Sequence, residues 1–199
     1  MYQSKSGVFS SGSNLAGRVF SANEVVEKVK ALRVLGQRIV LTSGTYDIIH
    51  VGHANYLEKA RAEGDFLIVG VDSDKKVQKR KGPDRPIVPE DERLLMLAHL
   101  RHVDALVLKD VDDPEHHLMK MVEPDVLIIS ETTKHSDETV ADMRKYCKEI
   151  KLLEPQAETS TTAQIRKLHI DGVNKFAAQA RDEICGTLER LVERMRVGE

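Results

Sequence analysis

Two histidines, His50 and His53, lie three residues apart on either side of Gly52, directly after a short apolar segment that predicts a buried strand. In open parallel sheets, ligands bind beyond the carboxyl ends of the strands, so chemistry is expected at this place. A glycine lets a ligand approach the backbone closely, and a helix that begins here presents free N–H groups and positive potential. Histidines at positions i and i+3 can point to the same side and donate hydrogen bonds to a phosphate.

This histidine pair therefore indicates a phosphate site, while two other interpretations stay open from the residues alone. The pair could hold zinc, but the sequence offers no obvious third ligand. It could also be two solvated histidines beside the start of a helix. The segment contains neither a Walker phosphate loop nor the glycine pattern of a dinucleotide-binding turn.

The elements that must position this pair alternate between short apolar segments and helical patterns. The apolar segments predict strands at 39–41, 66–71, 105–108, 126–129 and 150–153. The helical patterns cover 21–36, beginning with a capping box at Ser21 and Glu24, then 53–63, 89–98, 113–122, 138–147 and a last helix from about 161. The basic, polar stretch before Pro89 is interpreted as a loop. This alternation predicts an α/β fold, a doubly wound Rossmann-like parallel sheet with helices on both faces.

Composition excludes several classes of protein. The chain has 199 residues, 41% hydrophobic and 31% charged, with a net charge of -2, so it is neither a strongly basic nucleic-acid binder nor too polar to fold. It lacks a long apolar run and a signal-peptide-like start, which predicts a cytoplasmic protein without a membrane partner. Cys147 and Cys185 are far apart and predict neither a zinc site nor a disulfide framework.

Three regions are expected along the chain. Residues 1–18 are rich in serine and glycine and are interpreted as a flexible leader, 19–170 as one globular domain, and 171–199 as a C-terminal helical extension. An apolar stripe runs along that extension at spacings of 4, 3, 4, 4, 3 and 4 residues, through Val173, Ala177, Ala180, Ile184, Leu188, Leu191 and Met195. It either packs on its own domain or forms a homodimer with a second copy.

The segment G-T-Y-D-I-I-H-V-G-H at 44–53 resembles the G-x-F-D-x-x-H-x-G-H signature of the cytidylyltransferase-like nucleotidyltransferases. The stretch K-G-P-D-R-P at 81–86, followed by Arg93, is similar to the heptose-phosphate adenylyltransferase branch, near the glycerol-3-phosphate cytidylyltransferases. S-T-T at 160–162, opening a helix, is similar to the same branch. Three motifs in this order over roughly 20–170 identify the chain as a member of the family, with 19–170 as its nucleotidyltransferase domain.

The resemblance implies that an acceptor phosphate attacks the α-phosphorus of an NTP and that pyrophosphate leaves. His50 and His53 would hydrogen-bond the phosphates, while Lys81, Arg85 and Arg93 would neutralise the triphosphate, which carries Mg²⁺. Asp47 would either support the loop or help position the metal. The nucleotide would be bound by Ser43, Gly44, Thr45, Tyr46, Asp47, Gly52, Arg85, Ser160, Thr161 and Thr162.

Other interpretations of these residues stay open. Arg93 could pair with acids of its own helix, the hydroxyls at 160–162 could be only a helix cap, and the loop lysines could be solvated. Glu158 stands where relatives often have glycine, and 130–135 reads S-E-T-T-K-H where the heptose enzymes have a glycine-rich stretch. The acceptor, a sugar or polyol phosphate, therefore stays open. Adenylyl transfer is preferred over cytidylyl transfer on a polyol phosphate and over a nucleotide-sensing module without turnover.

Overall fold

Six strands form one sheet in which every neighbouring pair is parallel. The computed structural model describes residues 16–131, 133, 135–154, 173, 175–177, 179–181, 183–187 and 196. The chain divides into two compact units, Met1–Glu158 and Thr159–Glu199. The sheet belongs to the first unit, and the described residues of the second are helical. Within the described residues, no helix has the length and hydropathy that a bilayer crossing requires.

The strand order is β1-β4-β3-β2-β5-β6. The strands are β1 Val19–Phe20, β2 Ile39–Gly44, β3 Phe66–Asp72, β4 Ala105–Lys109, β5 Val126–Ser130 and β6 Glu149–Leu153. The helices are α1 Ala22–Val34, α2 Val51–Arg61, α3 Asp74–Lys81, α4 Glu90–Ala98, α5 His117–Val122 and α6 Asp137–Met143. From β2 the chain builds outward through β3 and β4 on one side and through β5 and β6 on the other. The prediction of a doubly wound parallel sheet is confirmed, with its switch point between β2 and β5.

Each face of the sheet has its own apolar core. Ile39 and Leu41 of β2 pack with residues of α1, α5 and α6, whereas Val40 between them packs with residues of α2 and α4. Successive side chains of a strand point to opposite faces, so a continuous apolar segment supplies both cores. This explains why the central strands could be predicted from uninterrupted apolar runs.

The first helix has the predicted cap. Ser21 Oγ accepts from the Glu24 N–H at 3.3 Å, and the Glu24 carboxylate accepts from the Ser21 N–H at 2.7 Å. Just before it, residues Ala16–Arg18 form a 3-10 turn, and the Arg18 guanidinium donates to the carbonyls of Ala98, Leu100 and Val103. Residues 16–18 of the predicted leader are thus held against the domain, while its residues 1–15 lie outside the described residues.

Two sequence-based expectations about helices were wrong. The basic stretch interpreted as a loop contains α3, where Ser73 Oγ accepts from the Lys76 N–H at 3.2 Å and Val77 is buried. The helix expected from residue 113 begins at His117, because Asp113 accepts from the Asp110 N–H at 2.7 Å and closes a turn instead of capping a helix. The S-T-T helix expected from about 161 lies outside the described residues.

Candidate active site

The signature segment forms the connection between β2 and α2, at the carboxyl edge of the sheet beside the switch point. Tyr46 has a φ of 52°, in the left-handed region, and its ring is buried. A Cβ atom on Gly44 would lie 2.9 Å from Tyr46 Cε2, so the glycine leaves the space in which the ring packs. The Tyr46 ring meets His53 edge-on with centroids 5.5 Å apart, which places the second histidine against the buried loop.

Backbone N–H groups orient both signature histidines. His50 Nδ1 accepts from the Gly52 N–H at 3.1 Å, and His53 Nδ1 accepts from the His50 N–H at 3.4 Å. When one ring nitrogen of a neutral imidazole accepts, the other carries the hydrogen. Each neutral histidine is therefore a donor through Nε2, and the ring centroids are 4.0 Å apart. Two neighbouring donors at the start of α2 suit an anion with several oxygens.

His53 stays neutral at physiological pH. Burial, followed by the charges of His50 and Lys81, lowers its pKa from 6.5 to about 4. Lys81, the last residue of α3, thus acts electrostatically on the histidine pair. Burial and the charges of Arg80 and Arg85 lower the pKa of Lys81 in turn. The predicted residues His50, His53, Lys81 and Arg85 are thus brought together.

Asp47 is buried and holds the segment that carries Arg85. Its Oδ1 accepts from the backbone N–H groups of Ile87 and Val88 at 2.8 and 2.9 Å, and its Oδ2 lies 2.5 Å from an Arg85 nitrogen. These contacts support the loop-holding alternative for Asp47. Among the residues that the structure describes, no group of three or more histidine, cysteine, aspartate or glutamate side chains could hold a metal ion.

Arg93 is completely buried and joins the loops around the site. Its guanidinium donates to the carbonyls of Thr45, Val88 and Asp72 and to the Asp74 carboxylate at 2.7 Å. Four of its five N–H groups are therefore donated to protein atoms. The carboxylate partner comes from α3 and not from its own helix α4, which differs from the pairing considered above. A contact between Arg93 and the triphosphate stays a prediction.

Three charged residues at this edge were missed by the sequence analysis: Asp72, Arg80 and Lys109. The Asp72 carboxylate accepts from Arg80 at 2.9 Å, Lys109 at 3.3 Å and the Thr45 hydroxyl at 3.4 Å. The available signal was that β3 and β4 are apolar segments that end in Asp72 and Lys109. Because parallel strands end at one edge, charges that terminate neighbouring strands meet there.

Of the remaining predicted binding residues, two are among the described residues and three are not. Gly52 is buried in the first turn of α2, and Ser43 is exposed at the end of β2, opposite Gly70 of β3. Ser160, Thr161 and Thr162 lie outside the described residues, as do Thr132 and Lys134 of the 130–135 segment.

Curated relatives and solved structures resemble this chain. It is 37% identical over 168 residues to the bifunctional protein HldE of Aliarcobacter butzleri, covering 84% of this chain and 34% of that protein. It is 42% identical over 139 residues to the same-named protein of Nitratiruptor sp., covering 70% of this chain and 29% of that one. The chain thus spans about a third of the length of the curated relatives it matches.

Two solved structures share the fold. A lipopolysaccharide core biosynthesis protein from Thermoplasma volcanium is 26% identical, with a TM-score of 0.51 over 62% of this chain and 99% of that one. A pantoate-beta-alanine ligase from Francisella tularensis is 15% identical, with a TM-score of 0.50 over 72% of this chain and 68% of that one, which shows the fold alone. The cytidylyltransferase-like family model matches residues 41–181, from β2 through the signature loop and beyond the sheet. The chain belongs to the cytidylyltransferase-like family.

Proposed function

We propose that the protein is a nucleotidyltransferase that joins the nucleotidyl group of an NTP to a small sugar or polyol phosphate and releases pyrophosphate. The observation that carries this proposal is the oriented histidine pair, in which backbone N–H groups occupy both Nδ1 atoms and leave both Nε2 atoms as donors. Family membership supports the reaction class. The relative from Thermoplasma volcanium, a lipopolysaccharide core biosynthesis protein, supports a sugar phosphate as acceptor.

In the proposed reaction, an oxygen of the acceptor phosphate attacks the α-phosphorus in line. The new P–O bond forms as the bond to the β-phosphate oxygen breaks, and its electron pair leaves with pyrophosphate. No side chain has to act as nucleophile or general base, because the acceptor phosphate is already anionic. His50 and His53 donate through Nε2 to phosphate oxygens on which charge builds in the transition state.

The cations at the end of α3 and in the following segment would balance the triphosphate. Lys81 and Arg85 lie close enough together for the charge of Arg85 to affect the pKa of Lys81. Asp47 and Arg93 act as positioning residues, because they tie the Arg85 segment and the signature loop to the protein. Ser160, Thr161 and Thr162 are proposed to contact the nucleotide, as the resemblance implies.

Magnesium is proposed to enter as part of the NTP substrate. The Asp47 carboxylate already accepts two backbone N–H groups and pairs with Arg85, so its contacts fit a structural role better than a metal ligand. Bound to the triphosphate, Mg²⁺ supplies charge neutralisation.

The protein is also proposed to be cytoplasmic. Both cysteines are free, which supports this location.

The test measures pyrophosphate release with each of the four NTPs, Mg²⁺, and a panel of sugar and polyol phosphates, with mass spectrometry of the product. We expect release that requires both an NTP and an acceptor phosphate, with ATP preferred over CTP. Release with CTP and a polyol phosphate would establish the cytidylyltransferase alternative. A nucleotide-dependent thermal shift without turnover on any acceptor would contradict the proposal and support a sensing module.

A further inference from the structure

A single buried carboxylate connects three segments at the candidate site. Asp72 ends β3, and its side chain is only 3% exposed. Its Oδ2 accepts from the Arg80 guanidinium of α3 at 2.9 Å and from the hydroxyl of Thr45, in the signature loop, at 3.4 Å. Its Oδ1 accepts from the Lys109 ammonium, at the end of β4, at 3.3 Å. Segments that are 27 and 37 residues away in the sequence thus meet at one side chain.

A carboxylate at this depth requires compensation, because burial without partners disfavours its charged form. Lys109 reaches it across Gly70 of the same sheet. A Cβ atom on Gly70 would lie 2.7 Å from Lys109 Cδ and 2.6 Å from Ser43 Oγ. Because glycine has no side chain, the Lys109 side chain can pass over this position to Asp72. Asp72 and Lys109 therefore form a charged cluster at the carboxyl edge of the sheet, in the space that Gly70 leaves.

Arg80 extends this cluster to the residues proposed to bind phosphate. Its guanidinium donates to Asp72 and, at 2.7 Å, to the Thr45 hydroxyl, so it ties α3 to the signature loop directly as well. Arg80 immediately precedes Lys81, whose charge lowers the pKa of His53. Arg80 is therefore a direct link between the basic end of α3 and the signature loop that carries the histidine pair.

We infer that Asp72 is a positioning residue for nucleotide binding, which holds the basic end of α3 and the signature loop in their relative positions through Arg80 and Thr45. The inference rests on the proposed function for its effect on the nucleotide. An opposing model treats Asp72 only as a negative charge near the phosphates. The two models predict opposite signs: loss of the charge weakens triphosphate binding if Asp72 positions cations, and strengthens it if Asp72 only repels phosphate.

The variant that separates the models is Asp72→Asn, compared with Asp104→Asn. Asp104 likewise pairs with an arginine, Arg61, at 2.7 Å, and it accepts the backbone N–H of Leu67, but it lies before β4 at the opposite edge of the sheet. Amide hydrogen exchange is measured on both variants without nucleotide, and the Kd for ATP with Mg²⁺ is measured by calorimetry. Exchange does not depend on the proposed activity.

For Asp72→Asn we expect faster exchange in 45–50 and 74–81 and a Kd for ATP raised about tenfold, the scale of one charge-assisted hydrogen bond. In turnover assays, KM for ATP should rise more than kcat falls. Asp104→Asn should change neither the exchange of these segments nor the Kd. Unchanged exchange, an unchanged Kd, or a tighter Kd for Asp72→Asn would overturn the inference.

A second variant keeps the test decisive if Asp72→Asn does not fold. The Arg80 side chain is 56% exposed, so Arg80→Gln should fold and should reproduce the faster exchange and weaker ATP binding. Where Asp72→Asn does fold, the two effects on Kd should be less than additive in the double variant, because both substitutions remove the same link. Additive effects on the Kd for ATP would contradict the inference. If the wild-type protein binds and converts no NTP, the proposed function fails, while the exchange measurement still decides whether Asp72 anchors both segments.

Discussion

At the scale of single residues, the tautomers of the signature histidines determine what the site can donate. Each Nδ1 accepts a backbone N–H, so each neutral ring presents its hydrogen at Nε2. A neutral imidazole that donates without losing a proton stabilises developing phosphate charge and remains ready for the next turnover. The pair therefore supports electrostatic catalysis, which is what an in-line transfer without a protein nucleophile requires.

We predict that His50→Ala and His53→Ala each lower kcat by about 10²–10³-fold, the usual cost of losing a transition-state donor. His102→Ala is the matched control, since His102 contacts Glu58 of α2 at 3.3 Å and not the signature loop. Steady-state pyrophosphate release, on variants shown to be folded by thermal unfolding, measures the effect. Turnover near the wild-type rate in both signature variants would exclude the proposed role.

The lowered pKa of His53 predicts a pH dependence of stability. Between pH 6.5 and about 4 the unfolded chain binds a proton at His53 and the folded protein does not, so acid favours unfolding across this range. The free energy of unfolding should therefore fall as the pH falls. In the His53→Gln variant this free energy should fall less steeply with pH. Urea denaturation at several pH values measures the difference. An NMR titration of the His53 ring with a midpoint near 6.5 would contradict this explanation.

At the scale of secondary-structure elements, Arg93 connects what surrounds the site. From the start of α4 it reaches the signature loop at Thr45, the end of β3 at Asp72, the first residue of α3 and the segment before its own helix. A completely buried guanidinium is stable only when its donors are used, and here three carbonyls and one carboxylate use them. Arg93 therefore holds α3 and α4 in fixed positions relative to the signature loop and the end of β3.

Arg93→Met should lower the free energy of unfolding by about 3–5 kcal/mol, because it removes the Arg93 donors from three carbonyls and from Asp74 Oδ1. The control is Arg38→Met, which removes a half-exposed ion pair with Glu149 and should cost about 1 kcal/mol or less. Denaturation in urea compares the two variants. Equal losses would show that Arg93 does not hold these elements together.

At the scale of the whole molecule, the C-terminal helix is expected to mediate self-association. Val173 and Ile184 of the predicted stripe are helical and are 67% and 61% exposed, while Leu188, Leu191 and Met195 lie outside the described residues. An apolar stripe on a helix is buried either against its own domain or against a second copy across a two-fold axis, and the prediction takes the second case. We expect a dimer at tens of micromolar by light scattering, weakened by Ile184→Glu and unchanged by Glu183→Gln. A monomer at that concentration would contradict this prediction.

Local sequence patterns determined much of this protein. The apolar runs predicted β2 to β5 because strands buried on both faces need no alternation, whereas β6 has apolar residues at 150, 152 and 153 but is only partly buried. Ser21 and Glu24 predicted the first helix because a capping box depends only on residues three apart. The spacing of His50, Gly52 and His53 predicted the start of a helix at this place, which α2 confirms, while the phosphate site that it indicates stays a prediction. Each of these features is decided within a few residues, so its physical cause is visible in the printed sequence.

The tertiary structure decided which distant groups meet. Asp47 contacts residues 40 and 41 positions away, in the segment between α3 and α4. Asp72 contacts Lys109 at a separation of 37, because the parallel sheet brings the ends of β3 and β4 to one edge. Helix α3 was hidden because only Val77 among its eight residues is apolar and buried, so its position depends on Asp74 and Arg80 contacting other elements. The burial of Arg93 likewise follows from three carbonyls and one carboxylate that four separate segments supply. Spacing along the chain does not encode these contacts, since they exist only once the sheet has formed.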